Sequence, residues 1–356
     1  VGSLLRPQSL LDLRQKVKQG QATAEQLRAH EDECIRRLVK MEEDIGLQSV
    51  TDGEFRRETF HGDFISKLHG VEFKQLFPPG HTKVGGHEAP FVAVVSEKMS
   101  RPSEGIEVEN FRFLKSLTER TAKQTIPSPT MTHFRGGRQA IDKDAYPDME
   151  EFFADLARVY REEVTALAQA GCRYLQMDDT NLAYLCDEKM REQAAARGED
   201  PTQLPHDYAH LINESIRDKP DDMAVCVHMC RGNARSRWFA EGGYEPVAET
   251  IFNETNVDGF FLEYDDERSG DFAPLRFVPK GKMIVLGLVT TKRGQLEDPD
   301  TIKRRIDEAT RYVPLEQLCL SPQCGFASIS EGNVISEDDE RKKLSLIVRL
   351  AEEIWG

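Results

Sequence analysis

The 356-residue chain has no apolar run approaching the ~18 residues that a membrane span requires, which excludes a membrane-spanning reading. It has no surplus of positive charge either. Asp and Glu number 62 against 47 Lys and Arg, and the net charge of -15 argues against a nucleic-acid partner, because phosphate binding draws on a basic surface. Cysteine is sparse: the seven are an odd number, scattered rather than framed, so free or metal-bound thiols in a reducing cytoplasm are expected instead of a disulfide scaffold. No signal peptide opens the chain. Val1-Gly2-Ser3 reads as the tail of a strand, from which a few preceding residues are expected in the natural chain. No repeat, low-complexity tract or linker divides the sequence, and we expect a single domain over residues 1–356.

What is present is a set of short apolar runs that end in metal-ligating residues. Val225, Cys226 and Val227 lead into His228-Met229-Cys230, just before a Gly-Asn turn. Residues two apart on a strand face the same side, so His228 and Cys230 can reach one ion. Cys226 shares that parity but lies deeper and reads as core. Two ligands do not make a zinc site, which needs three or four donors. The run 257–262 ends at Glu263, and a third run from Gln317 ends at Cys324. Any one of these residues alone reads as well as core packing, since free Cys is among the most buried residue types. Four of them, all at strand ends, point to a metal site on one rim.

Around these runs, helices are expected from Gln8 to Lys18, from a Thr23 capping box to about Gly46, from Val108 to Arg120, and through Phe152, Leu156, Val159 and Leu167 to Gly171. More follow near Pro205 to Arg217, Pro246 to Phe252 and Pro299 to Arg311, with a last one through Leu344 and Ile354. Strands are expected at 48–51, 126–134, 173–179 and 283–289 as well as at the ligand-bearing runs. Residues 70–101 read as a loop insertion broken by Pro78-Pro79-Gly80 and Gly85-Gly86, with His81 and His87 as exposed loop histidines. The turn Asp52-Gly53-Glu54-Phe55-Arg56-Arg57 reads as solvated. The Arg135-Gly136-Gly137-Arg138 loop reads equally as an anion cradle or an ordinary turn. On the 173–179 strand, parity turns Gln176 and Asp178 inward, and a buried carboxylate there needs a cation. The alternation predicts an α/β fold, a (β/α)8 TIM barrel with extra N-terminal helices and a loop insertion, with its chemistry at the carboxyl ends of the strands.

Taken together, these segments resemble the catalytic C-terminal barrel of cobalamin-independent methionine synthase, from Val1-Gly2-Ser3 to Cys324-Gly325. The resemblance implies a catalytic zinc (Zn2+) on His228, Cys230, Glu263 and Cys324, and an amino-acid thiol held by Ser3, Glu54 and Asp178, with Asp178 in the catalytic group. It also implies that His133 stands where an aromatic ring would stack on folate, and Lys292 where a general-acid histidine is expected. No second, amino-terminal barrel accompanies this one. The chain thus looks like a short stand-alone form, expected to methylate a thiol, homocysteine foremost, with a corrinoid or corrinoid protein as a better methyl donor than methyltetrahydrofolate polyglutamate.

The ligand set fits that chemistry. Zinc lowers the pKa of a bound thiol, and two cysteinates with a carboxylate leave the thiolate nucleophilic, whereas a hydrolase favours neutral ligands that keep zinc a strong Lewis acid. Other readings stay open: transfer to another thiol such as coenzyme M, a zinc-free lyase of the uroporphyrinogen-decarboxylase-like barrels using Arg56, Arg57, Arg135 and Arg138, and a non-catalytic protein with structural zinc.

Overall fold

Seven short strands form one sheet in chain order: β1 (Ser49–Val50), β2 (Thr121–Pro127), β3 (Tyr174–Asp179), β4 (Ala224–Met229), β5 (Gly259–Glu263), β6 (Met283–Val289) and β7 (Leu318–Pro322). Every neighbouring pair is parallel. A parallel sheet is covered on its outer face by the crossovers that join its strands, so its strands read as near-continuous apolar runs rather than as alternations. The sequence Met283–Val289, six of whose seven residues are buried, is such a run. This computed structural model describes residues 2–76, 83–84, 87–88 and 91–356.

Several of the helices begin where the chain offers a side-chain cap. Thr23 and Gln26 close the expected capping box ahead of Ala24–Ile45, Asp148 caps Met149–Gln169, and Asp298 caps Pro299–Ala309. Ser336 and Asp339 form a second capping box, so the last helix starts earlier than its apolar stripe suggested and spans Glu337–Trp355. Met149–Gln169 buries Phe152, Leu156, Val159, Tyr160 and Leu167 along one face. Two crossovers depart from the expected alternation. Between β5 and β6 the chain makes only 3-10 turns, at Glu267–Ser269 and Ala273–Phe277. Beyond β2 the expected strand stops at Pro127, and Pro129–Thr132 turns as a 3-10 helix because proline cannot donate to a ladder. No helix among the described residues is long and apolar enough to cross a membrane.

The insertion is more regular than its glycines and prolines suggested. His69–Lys74 pairs antiparallel with Val92–Ser100, in a register that opposes Val71 to Val95. Residues 78–80, 85–86 and His81 lie outside the described residues, as does the side chain of His87.

Of the expected eight-stranded barrel, the described residues form a curled seven-stranded parallel sheet, in which no eighth strand pairs with β1 or β7. Residues 2–4 nevertheless touch both edges at their carboxyl ends. The Leu4 N–H donates to the Gly53 carbonyl (3.1 Å), the Thr51 hydroxyl to the Gly2 carbonyl (3.0 Å), and the Phe326 N–H to the Ser3 carbonyl (2.8 Å). That placement brings Ser3 to the same rim as the ligand-bearing strand ends.

Candidate active site

The strand ends converge as the parity suggested. His228 is on β4, Cys230 one residue beyond it, and Cys324 two residues beyond β7, and their ligand atoms all lie within 4.8 Å of one another. All three residues are buried. Among the described residues neither ring nitrogen of His228 has a hydrogen-bond partner, which is costly for a buried imidazole unless another partner takes the lone pair. A soft donor set of one imidazole and two thiols with an unsatisfied histidine fits zinc. The two thiols titrate as a pair. The hydrogen bond with Cys324, added to burial, pushes Cys230 well above its ordinary value, while the same bond and the His228 ring hold Cys324 well below. Cys226 sits below them in a small apolar cluster with Phe261 and Val285, and burial pushes its thiol up to about 12, as a core residue.

Glu263 ends β5 as expected but is not drawn into the three-ligand cluster. One carboxylate oxygen accepts from the Arg231 N–H (2.7 Å); the other pairs with Arg268 and with Lys292 (3.2 Å). Burial alone would raise its pKa, and Lys292, Arg231 and Arg268 together hold it down at about 2. A permanent carboxylate thus stands against the metal-ligand cluster with its own cations behind it.

The same rim opens into a cleft of about 740 Å3 lined by Ser3, Glu54, Asp178, His228, Cys230 and Cys324, so the expected thiol-binding residues and ligands face one space. Asp178 is the lateral neighbour of His228 across β3 and β4. Its carboxylate accepts from the Gln176 amide, at 2.5 Å. Burial raises its pKa, and the nearby Cys324 adds to that against the opposing pull of His228 and Gln176. The turn after β1 is buried rather than solvated, because Asp52, Glu54 and Arg57 are all below 7% exposed. Glu54 holds a left-handed φ of 58°, a strained backbone for a residue with a Cβ. Its carboxylate accepts from the Thr125 hydroxyl (3.0 Å) and faces Arg57 at 3.6 Å. Burial pushes it up to about 7, with Asp178 repelling and Arg57 opposing the rise.

Gly325 is demanded by contact rather than by backbone freedom. A Cβ there would come within 1.9 Å of the Ser3 hydroxyl. Gly325→Ala is expected to displace Ser3 and the adjoining Cys324. The cost should be that of overpacking, about 1–3 kcal/mol, with a lower zinc content. Thermal melts and metal analysis of the variant test this.

Two expected residues fall outside the cleft. His133 packs in an aromatic cluster with Phe152, Phe153 and Tyr208; its Nδ1 lies 2.9 Å from the Tyr208 hydroxyl, and burial with Arg197 pushes its pKa down to about 3. Proline ends β2 early and the following 3-10 turn carries His133 into the core. Lys292 bridges Glu263 and Asp265 instead of facing substrate. The arginines also divide. Arg56 pairs with Glu31 and Asp32, Arg57 with Glu54 and Glu107, and Arg138 bonds the carbonyls of Ile141 and Tyr146; only Arg135 of the four lines the cleft. The Arg-Gly stretch is therefore a turn with one residue aimed at the site. Phe60, His61, Tyr184 and Phe239, which complete an aromatic wall, were not singled out from the sequence. Phe60 and His61 follow the Glu54 turn by a few residues, and that shared loop was the one available signal.

A family profile described as the catalytic domain of cobalamin-independent synthase matches residues 1–352. The Bacillus subtilis uncharacterized protein YxjH is 47% identical over 363 residues, covering 100% of this chain and 93% of that protein. The methionine synthase of Pyrococcus abyssi is 24% identical, covering 92% of this chain and 85% of that one. A crystal structure from Listeria monocytogenes, of a protein provisionally assigned as a vitamin-B12-independent methionine synthase, superposes with a TM-score of 0.80 at 42% identity. It covers 100% of this chain and 96% of that one.

Proposed function

The chain belongs to the cobalamin-independent synthase catalytic-domain family, and from that premise we propose that it is a zinc-dependent S-methyltransferase converting homocysteine to methionine. One observation carries this reading: a His-Cys-Cys cluster and two buried carboxylates line one cleft. His228, Cys230 and Cys324 hold the metal, and Glu263 either completes the set or supplies negative charge from just outside it. Zinc, when bound, holds the substrate sulfur as a thiolate at neutral pH. Because these residues line an open cleft, the arrangement favours catalysis over a closed structural site. Residues 1–356 act as one cytoplasmic catalytic domain, in which residues 2–4 stand as the remaining stave of a barrel.

The chain's own residues bind and orient the amino acid. Asp178 and Glu54, both raised by burial, take the ammonium group, and Ser3, fixed against Gly325, positions the thiol end of the cleft. The same carboxylates argue against coenzyme M, whose sulfonate they would repel. The lyase reading loses its arginine cluster, since three of the four arginines are occupied elsewhere.

The expectation of a corrinoid donor gains no support. It rested on His133 and Lys292 standing where a stacking aromatic and a general-acid histidine would serve a folate, and on the lack of a second barrel; neither residue lines the cleft. Phe60, His61, Tyr184 and Phe239 instead form a wall suited to a flat heterocycle, and an N-methyl pterin such as methyltetrahydrofolate is the donor we favour. Steady-state rates with homocysteine and each donor at matched concentration decide it. Methyltetrahydrofolate should be at least tenfold faster than methylcobalamin, and the reverse order would restore the corrinoid.

A further inference from the structure

Transfer of a methyl group from nitrogen to a thiol moves a proton the other way. The S–CH3 bond forms as the N–CH3 bond breaks, the thiol loses its proton, and the nitrogen left with the bonding pair must gain one. Some group in the cleft has to carry it. The metal-ligating residues are committed, and Glu54 and Asp178 face the ammonium. Asp179 accepts from the Leu182 N–H and the Thr130 hydroxyl, which fixes it as the cap of the turn after β3. Burial pushes the Tyr184 phenol above its ordinary value of 10, too weak an acid for the task. Lys292 and His133, the residues expected from the sequence to serve the donor, are turned away.

His61 remains. Its ring lines the cleft between Phe60, at 4.6 Å between centroids, and Phe73, at 6.0 Å. A structural histidine is normally tied down through both nitrogens, and this one is not. Among the described residues Nδ1, shut off from solvent, has no hydrogen-bond partner, and Nε2 makes a long contact with the Arg135 guanidinium, at 3.5 Å. Because Arg135 can only donate, Nε2 carries the free lone pair.

We propose that His61 is the proton carrier of this methyl transfer: Nε2 takes the proton that the substrate thiol gives up and returns it to the donor nitrogen as that nitrogen loses its methyl group. The assignment rests on the N-methyl donor named above. Burial first, and then Arg135, hold the imidazole well below its ordinary pKa, so the resting ring is neutral and ready to accept. A substrate carboxylate that draws Arg135 aside removes the repulsion and lets the proton stay until transfer. The histidine thus ends each cycle as it began.

The test uses His61→Gln and, in case that variant folds poorly, His61→Asn. Protein preloaded with zinc and homocysteine is mixed with 5-methyltetrahydropterin or with its N5-quaternised 5,5-dimethyl counterpart, whose nitrogen departs neutral and needs no proton. The single-turnover rate with the first donor should fall about 100-fold, in line with loss of general acid-base help. With the second the loss should be about tenfold smaller than with the first, since only the first donor needs a proton, at unchanged zinc content. An equal loss with both donors would reduce His61 to a packing residue, and no loss with the first would remove it from the reaction. A parent inert toward both donors would instead bring down the methyltransferase reading, and this assignment with it.

Discussion

Replacing Cys230 and Cys324 together by alanine is expected to take the zinc content from about one per chain, as for a single site, to none, and methyl transfer to background. The effect should be this large because of how the site is built. His228 is the remaining nitrogen donor of the cluster, with both ring nitrogens unsatisfied among the described residues, and it cannot hold a metal alone. Metal analysis after dialysis is the measurement. Unchanged zinc in the double variant would sink the site. Glu263→Gln offers a graded comparison. Since Glu263 is already bound by Arg231, Arg268 and Lys292, its loss should weaken zinc by about 10–100-fold, as for a supporting residue, rather than abolish binding.

Asp178→Asn is expected to weaken homocysteine binding by about 10–150-fold, equivalent to the ~1.5–3 kcal/mol of a charged hydrogen bond, while zinc remains in place. The ligand-free variant should also melt higher than the parent. Asp178 is a buried carboxylate that accepts from a neutral amide, so removing its charge relieves a desolvation cost that only the substrate ammonium repays. Calorimetric titration and thermal melts give the two readouts, and equal affinity of variant and parent would overturn the assignment. Glu54 adds a pH dependence with a definite sign. Its folded pKa is raised from 4.5 to about 7. The stability it contributes is fully present below about 4.5 and is lost as pH rises through about 7, because only the unfolded chain ionises freely in that window. Homocysteine affinity should move oppositely, rising through about pH 7 as Glu54 becomes the anion that the ammonium needs.

These effects share one cause: the resting cleft is strained and charged in ways that only its ligands relieve. Glu54 sits at a left-handed φ, two carboxylates repel each other out of water, and an imidazole lacks partners among the described residues. Such departures from local rules cluster where function has been placed.

Much of this was written in the one-dimensional pattern. Strand parity put His228 and Cys230 on one side and marked Asp178 as an inward carboxylate in need of a cation, because side chains alternate along a strand whatever surrounds it; Cys226, of the same parity, was left in the core by its deeper place on the strand. Caps at Thr23 and the apolar stripe of Met149–Gln169 are local too, and both stand as expected. What local pattern could not supply was how loops after different strands fall together. Glu263 ends its strand where it should, yet Arg231, Arg268 and Lys292 converge on it from three separate segments. His133 follows its strand as expected, but a 3-10 turn carries it into an aromatic core. His61, from a loop that carries no periodicity, reaches the cleft. Alternation and capping are set by neighbours within a few residues, so the sequence by itself determined the ligand-bearing strands and the class of fold. Burial, ion pairing and loop paths depend on residues far apart in the chain, so only the tertiary structure decided which ligands meet and which expected residues turn away. It also decided that a histidine outside every motif lines the cleft.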